Sequence, residues 1–431
     1  MKTDSQETDL FLSLRRFQEK MIVRRVEKHL IKQNNSFYPM LCDFTHKAKN
    51  LYNHANFLVR NEFVKTGNRL RYGETDKILK ADREYDDYRQ MPTAQAAQQT
   101  LRLLEKDWKS FFTAIKDWSE NKDKYLGRPK LPKYKPKDGK HILILTNQNV
   151  KLKDNVLCFP RSFCGFTVIP QFIKDSRFVS FQQVRFIPGY RNIAVELVYN
   201  IEIPDGTLPD NGRYLSIDIG LDNLATVVNN AGMKPVVING KGLKSMNKYY
   251  NKQISHYREV AKRMNDRDYT KRMDRLTVKR NHKIDDYMHK ASKYLIDYAV
   301  SGDYHTIVIG NNKEWKQGSS MSKKVNQSFV GIPHTRFIQM IMYKAQSVGL
   351  NVILTEESYT SGTSFLDNEM PVKSNYNRSR RIRRGLFVSN NAIRINADVN
   401  GAYQIMRKVF PKVTADGIEG VALHPVRVSI A

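Results

Sequence analysis

Acidic residues stand at three places where the chain is otherwise apolar, and these residues could bind a metal. Asp218 interrupts the run Tyr-Leu-Ser-Ile-Asp-Ile, and Glu356 and Glu357 follow the run Asn-Val-Ile-Leu-Thr. Asp398 stands in the segment Ile-Asn-Ala-Asp-Val-Asn-Gly-Ala-Tyr. Burying a carboxylate costs several kcal/mol unless a cation or hydrogen-bond donors meet it, so a divalent metal is a natural partner. The alternatives are a strand-end acid satisfied in the Gly220 turn, for Asp218, and a helix N-cap, for Asp398.

Apolar periodicity and turn residues predict the elements that would position these acids. The elements are, in order, a β-hairpin over residues 213–230, a strand over 235–238, long basic helices over 243–300, a strand over 304–309, a helix over 333–348, a strand over 352–357 and a helix over 398–409. This is the order of an RNase H-like α/β domain. Acids at neighbouring strand ends of that fold hold two metal ions about 4 Å apart for phosphodiester hydrolysis. The pattern therefore favours a nuclease.

The charge balance of the 431-residue chain favours a polyanionic partner. Lys and Arg number 72 against 43 Asp and Glu, which gives a net charge of +29. Nucleic acid is the leading candidate, and a membrane is disfavoured because no segment approaches the roughly 18 apolar residues of a span. The polar N-terminus lacks a signal-peptide core, so we expect a cytoplasmic, nucleoid-associated protein. The length predicts two or three domains.

The N-terminal half predicts helices inserted in a small β-domain. A basic strand over residues 17–32 and short strands over 141–204 favour a small barrel. Helical periodicity covers residues 37–65 and resumes after Pro92. The helices would therefore form an insertion in the barrel.

Two parts of this half suit nucleic acid. Gln95, Gln98 and Gln99 share the polar face of the second helix. Glutamine can bind adenine bidentately in the major groove, although it is also an ordinary helix former. Residues 121–140 are basic and rich in Pro and Gly, which suits either an extended segment on a phosphate backbone or a solvated linker.

Several motifs resemble those of the TnpB family, the transposon-encoded RNA-guided nucleases related to compact type V CRISPR effectors. The motifs are Ser-Ile-Asp-Ile-Gly-Leu-Asp-Asn-Leu-Ala-Thr, His-Thr-Ile-Val-Ile-Gly, Tyr-Thr-Ser-Gly, Arg-Arg-Gly-Leu-Phe and Ile-Asn-Ala-Asp-Val-Asn-Gly-Ala-Tyr. Residues 93–112 and Gly127-Arg-Pro-Lys also resemble the family's N-terminal region, so the match covers most of the chain. The resemblance implies a wedge-like β-barrel with an inserted helical recognition domain, and a RuvC nuclease domain. It also implies a guide RNA and double-stranded target DNA recognised beside a short adjacent motif.

The resemblance also implies roles for individual residues. Asp218 and Asp398 become the first and last catalytic carboxylates, which bind two Mg²⁺ ions. Tyr52 and the glutamine face become readers of the adjacent motif. The residues expected to bind nucleic acid are Tyr52, Gln95, Gln98, Gln99, Arg128, Lys130, Lys133, Arg380, Arg381, Arg383 and Arg384.

One departure from the family concerns the middle carboxylate. Where most relatives have a glutamate ending the fourth strand, this chain has Gly310. The fifth strand should lie beside the fourth, so Glu357 can reach about the same point from one strand spacing of about 4.8 Å away. We therefore expect Glu357 to be the third catalytic and metal-binding carboxylate. Glu356 would point to the opposite face of a regular strand, and Glu314 is a weaker loop candidate.

A second departure concerns cysteine. Cys42, Cys158 and Cys164 form no Cys-x-x-Cys pair, and Ser364 and Ser389 stand in the region where the family has its cysteine pairs. We therefore expect no zinc. A metal-free loop over residues 362–392 would replace the zinc ribbon and hold nucleic acid through its arginines.

These expectations combine into an α+β multidomain protein. The predicted domains are a wedge-like barrel over residues 1–36 and 121–210, a helical recognition domain over 37–120 and a RuvC-like nuclease domain over 211–431. The predicted function is RNA-guided DNA cleavage by two-metal hydrolysis, in a monomer or a dimer. The alternatives are a nuclease-inactive guided repressor and a guide-independent DNA-binding protein or transposase.

Overall fold

The structure is a computed structural model that describes residues 20–311, 331–383, 385–415 and 424–430. The chain divides into two compact units. The first unit is Ile22–Glu202, and the second comprises Lys20, Met21 and the described residues from Ile203 onward. Both the Glu314 candidate and Arg384 lie outside the described residues. No helix in the described ranges combines the length and apolarity needed to cross a bilayer.

Three helices of the first unit pack around one apolar core. They are α1 (Tyr38–Thr66), α2 (Tyr72–Ala81) and α3 (Ala94–Glu120). The predicted first and second long helices are confirmed, and Thr93 caps α3 by accepting a hydrogen bond of 3.1 Å from the Ala96 amide. Sequence analysis did not predict α2, because this ten-residue helix buries a single apolar side chain, Leu79. Such a short helix has too few apolar positions for a periodic signal.

The strands of the first unit form two sheets. Their bounds are β1 (Lys20–Lys32), β2 (Leu143–Thr146), β3 (Lys151–Lys153), β4 (Val156–Cys158), β5 (Thr167–Val168), β6 (Phe178–Gly189) and β7 (Asn192–Pro204). One sheet has the order β1-β7-β6-β2, and the other has the order β3-β4-β5. The strand predicted near Met21 does join the larger sheet. Because the described strands lie in two separate sheets, the predicted barrel is not confirmed.

The second unit has the element order predicted for an RNase H-like domain. Its elements are β8 (Tyr214–Ile219), β9 (Asn223–Asn229), β10 (Val236–Asn239), α4 (Lys241–Asn265), α5 (Lys271–Ser301), β11 (Thr306–Gly310), α6 (His334–Gln346), β12 (Asn351–Thr355), β13 (Leu386–Val388), β14 (Arg394–Asn396), α7 (Ala397–Val409) and β15 (Val426–Val428). The main sheet has the order β12-β11-β8-β9-β10-β15. Strands β8, β11 and β12 are parallel, whereas β9 is antiparallel to both of its neighbours.

Helix α7 is packed on the strands that carry the acidic motifs. It contacts β8, β9, β11 and β12. Its apolar side chains, with those of the preceding hairpin β13–β14, form a separate small core that includes Phe365, Phe387, Ile395 and Tyr403. The helix therefore presents its first turn to the end of β8, next to Asp218.

The segment predicted to replace the zinc ribbon is held by a polar network. Both carboxylate oxygens of Glu369 accept hydrogen bonds, from the Ser364 amide at 2.8 Å, from Arg380 at 2.7 Å and from the Asn390 amide group at 3.1 Å. Beneath it, the buried guanidinium of Arg407 donates to the carbonyl of Phe365 at 3.0 Å. Glu369 thus ties together the two ends of residues 364–390.

Candidate active site

Asp218 lies near the end of the central strand of the main sheet. It pairs with Thr226 of β9, and the preceding residue, Ile217, lies opposite Ile309 of β11. The side chain is covered by α7, because a Cβ atom added to Gly401 would lie 3.1 Å from Oδ2 of Asp218. Desolvation and the negative charge of Asp398 raise the pKa of Asp218 to about 7, and Arg381 only partly offsets them. A carboxylate in this state gains strongly from a cation.

Asp398 is not the N-cap of α7, which was the alternative explanation for an acid at this position. Asn396 is the N-cap of α7, and its side-chain oxygen accepts hydrogen bonds from the amides of Asp398 at 3.0 Å and Val399 at 3.2 Å. The carboxylate of Asp398 instead accepts a hydrogen bond of 2.7 Å from Asn223 and one of 3.2 Å from Arg381. The cap therefore holds the helix end, while the acid faces the neighbouring charges.

Glu357 takes the space above Gly310. Gly310 ends β11 opposite Thr355, the last residue of β12, so Glu357 follows two residues later in the turn. A Cβ atom added to Gly310 would lie 2.8 Å from Cγ of Glu357 and 2.7 Å from Cδ1 of Ile405. Ile309 of β11 lies opposite Ile217 of β8, so the next residues, Gly310 and Asp218, also lie side by side. The side chain of Glu357 therefore lies over the residue of β11 that is next to Asp218.

Glu356 has a different environment. Its side chain is 64% exposed and paired with Lys408, which is the main reason why the pKa of Glu356 is lowered. The two adjacent glutamates therefore separate: Glu357 packs over Gly310, and Glu356 forms an exposed ion pair. Both residues follow the last residue of β12, so the strand alternation on which the prediction rested is not the cause.

The donor chemistry of Asp218, Glu357 and Asp398 fits Mg²⁺, which prefers carboxylate oxygens. Asp218 shows the fit most directly, since burial, and secondarily the charge of Asp398, raise its pKa, and a bound cation would favour its ionised form. Within the described ranges, no three His, Cys, Asp or Glu side chains are gathered closely enough to enclose one ion. Asp218 and Asp398 interact electrostatically, and Glu357 lies over Gly310 on the strand next to Asp218.

The comparisons with known proteins match both halves of this site. The family model OrfB_IS605, described as a probable transposase, matches residues 197–316, which contain Asp218. The model of the Cas12f1-like TNB domain matches residues 334–405, which contain Glu357 and Asp398. The resemblance to the TnpB family is confirmed. No curated protein matches this TnpB-like chain.

Two solved structures illustrate the similarity of the TnpB-like chain to other proteins. A Cas12f1-sgRNA-target DNA complex is 14% identical, with 88% of this chain and 98% of that chain covered and a TM-score of 0.36. The mini-RNA-guided endonuclease CRISPR-Cas_phi3 is 9% identical, with 94% of this chain and 97% of that chain covered and a TM-score of 0.41.

The three glutamines of α3 in this TnpB-like chain line one polar cavity of about 360 Å³. We call it the glutamine pocket. Its other residues are Arg24, Arg102, Thr146, Asn147, Gln148, Gln182, Gln183 and Val198. The Gln95 side chain is already held by Gln148 and by the Thr146 amide. The sequence did not reveal the partners of Gln95, Gln98 and Gln99, because they come from strands and turns far along the chain.

Tyr52 has a buried position in the first unit. The residue is 1% exposed, and its hydroxyl donates a hydrogen bond of 2.7 Å to Asp107. This burial raises the pKa of Tyr52. Its predicted role as a reader of DNA stays a prediction, and its contacts favour positioning of neighbouring residues over direct contact with a base.

The predicted basic side chains are distributed over two segments. Arg128, Lys130 and Lys133 are exposed on an extended stretch that lies along α1. In the second unit, Arg380 is paired with Glu369 at 2.7 Å, Arg381 contacts Asp398, and Arg383 is exposed beside β13. Sequence analysis missed Asn223, which follows Leu221-Asp222 in the first acidic motif and donates to Asp398.

Proposed function

We propose that this TnpB-like chain is an RNA-guided DNA endonuclease of a transposon, with Asp218, Glu357 and Asp398 as its metal-binding carboxylates. The observation that carries the proposal is the position of Glu357. Its side chain fills the space above Gly310, on the strand next to Asp218. This position supports the proposal that Glu357 supplies the carboxylate that most relatives carry at the end of the fourth strand.

Each residue of the site has a definable task in phosphodiester hydrolysis. Asp218, Glu357 and Asp398 would hold two Mg²⁺ ions, which supply charge neutralisation and water activation at the attacked phosphate. Asn223 orients Asp398 by donating to one of its oxygens, which leaves the other oxygen to face Arg381. The Asn396 cap keeps the first turn of α7 in place. The product would carry a 3′-hydroxyl group.

Recognition of DNA would be shared between guide pairing and the protein. Base pairing with a guide RNA would select the target, while the protein would read only a short adjacent motif. The glutamine pocket suits that reading, since amide side chains can both donate and accept at a base edge. The exposed basic segments supply phosphate contacts, whose affinity depends strongly on salt.

The test is cleavage of a plasmid that carries a guide-matched target, using purified ribonucleoprotein in Mg²⁺. Wild type should cut, and Asp218→Ala and Glu357→Ala should each lose the activity. The double variant Gly310→Glu/Glu357→Gly moves the carboxylate to the usual strand and should recover cutting, whereas Gly310→Ala in a wild-type background should reduce it. Full cutting by Glu357→Ala would refute the role of Glu357.

Gly310 also supports a second candidate, a nuclease-inactive guided repressor. That protein would bind the guided target tightly but leave the plasmid intact in all variants. RNA that copurifies with the protein and is removed by RNase is expected for both guided functions. Its absence would favour the guide-independent DNA-binding protein or transposase.

A further inference from the structure

The first unit has a second cavity, of about 540 Å³, whose aromatic residues have no role in the proposed nuclease. Its floor is aromatic. Phe63 of α1 and Phe111 and Phe112 of α3 line it, and we call it the aromatic pocket. Phe112 is 36% exposed, so part of its ring is open to a ligand.

The rings of the floor are fixed by mutual packing. Phe112 meets Phe63 at a centroid distance of 5.6 Å and an interplanar angle of 79°, and it meets Phe111 at 5.2 Å and 60°. Trp108 lies beneath them, fully buried, with its ring edge-on to Phe63. Such edge-to-face packing restrains each ring. The guanidinium of Arg69 lies over one face of Phe112, 5.6 Å from the ring centroid, so a ligand would stack on the part of the exposed ring that Arg69 leaves open.

One wall of the pocket is the extended basic stretch over residues 128–135, and buried amides hold it on α1. Asn56 is fully buried; its side chain donates to the carbonyl of Pro132 at 3.0 Å and accepts from the Trp108 ring nitrogen at 3.1 Å. Asn53 both donates to and accepts from the backbone of Lys135, at 2.9 and 2.8 Å. The pocket is therefore largely preformed, which reduces the entropic cost of binding.

The charge around the aromatic pocket has one sign. Arg60, Arg128, Lys130 and Lys133 line it, and none of its lining residues is acidic. An apolar, planar floor beneath a cationic rim is complementary to a ligand with a flat apolar body and attached anions. A nucleobase with its flanking phosphates has this combination, and base stacking on aromatic side chains needs no particular sequence.

We propose that the aromatic pocket binds one unpaired nucleotide of a single strand, with its base stacked on Phe112 and its phosphates at the cationic rim. The inference rests on the proposed function only in that the protein works on nucleic acid. The pocket would hold a strand that has left a duplex or never formed one.

The test uses the full chain carrying Asp218→Asn, so that cleavage does not affect the result. Binding is measured with short fluorescent single strands of one sequence, as RNA and as DNA, and with an abasic strand of equal length. Phe112→Ala should weaken binding of the base-bearing strand about tenfold and leave abasic binding unchanged. Phe112→Trp should restore it. Phe57→Ala, at a 51% exposed aromatic residue of α1 outside the pocket, is the matched control and should change nothing.

Comparison of the RNA and DNA strands shows which kind of strand occupies the pocket, and three outcomes would overturn the proposal. A larger loss in the RNA arm supports the proposal with a guide strand as occupant, and a larger loss in the DNA arm supports it with a displaced strand. Equal loss on the abasic strand, no loss on either strand, or failure of Phe112→Trp to restore binding would overturn the proposal. Because binding is read without cleavage, a failure of the proposed nuclease leaves this test intact.

Discussion

Arg381 donates a hydrogen bond of 3.2 Å to Oδ1 of Asp398, and it is the cation that partly offsets the charge around Asp218. The arginine therefore offsets part of the negative charge of Asp398 and Asp218, two of the carboxylates that would hold Mg²⁺. A bound metal must compete with this guanidinium, because both bind carboxylate oxygen atoms.

Arg381→Gln is accordingly expected to tighten Mg²⁺ binding several-fold. The measurement is a Mg²⁺ titration followed by thermal shift or calorimetry on the protein without nucleic acid. Arg383→Gln is the control, since Arg383 is an exposed arginine on the same segment without a contact to Asp398. Unchanged Mg²⁺ affinity in Arg381→Gln would contradict the prediction, because it would show that Arg381 does not compete with the metal for Asp398. Mg²⁺ affinity is the deciding readout, because cleavage would also respond to any contact between Arg381 and DNA.

Asp218→Asn is expected to stabilise the metal-free protein above pH 7. The pKa of Asp218 rises from about 4 in an unfolded chain to about 7 in the fold, so ionisation is opposed by folding. The contribution of neutral Asp218 to the free energy of unfolding is therefore complete below about pH 4 and is lost as pH rises through about 7. The gain should reach about 4 kcal/mol at pH 8 and fall below about 1 kcal/mol at pH 4. Urea unfolding at both pH values measures it, and added Mg²⁺ should stabilise wild type but not the variant.

His141 is expected to make the first unit sensitive to acid. Burial, with a smaller effect of Lys135, lowers the pKa of His141 to about 4, and its ring packs on Tyr52 at 4.7 Å. Because the unfolded chain takes up the proton first, stability is complete above about pH 6.5 and falls as pH drops to about 4, by at most about 3 kcal/mol. Fluorescence of the buried Trp108 reports this unfolding. His141→Gln should flatten the pH dependence, and the exposed His256→Gln should leave it intact.

Glu369→Gln is expected to loosen residues 364–390. The carboxylate accepts from Ser364, Arg380 and Asn390, and the amide that replaces it carries one acceptor in place of two. The loss should be about 1–3 kcal/mol, as for other buried charged hydrogen bonds. Hydrogen exchange of this segment measures the effect, with Glu356→Gln as the control for a surface ion pair. Unchanged protection of these amides from exchange would show that the apolar core around Phe365 holds the segment without the hydrogen bonds of Glu369.

The sequence predicted the order of elements in the second unit better than it predicted the first unit, because hydrophobic periodicity is a local signal. The catalytic roles of Asp218, Glu357 and Asp398 stay predictions. Asn396 as the helix cap and Asn223 as the donor to Asp398 were not predicted, since asparagine is common in turns. The glutamine pocket combines residues from Arg24 to Val198, and only long-range packing brings them together.

The contact between Glu357 and the space above Gly310 also has an evolutionary meaning. A glutamate at both positions would force Glu357 to turn away, and a chain with neither would lack the middle acid. If Glu357 acts as proposed, the order of the two substitutions matters. Gaining Glu357 before losing the strand glutamate keeps an acid at this place throughout, whereas losing the strand glutamate first passes through a stage of impaired or absent cutting. Chains with altered acids in this region are therefore expected to include both relocated enzymes and descendants that stopped at the inactive stage.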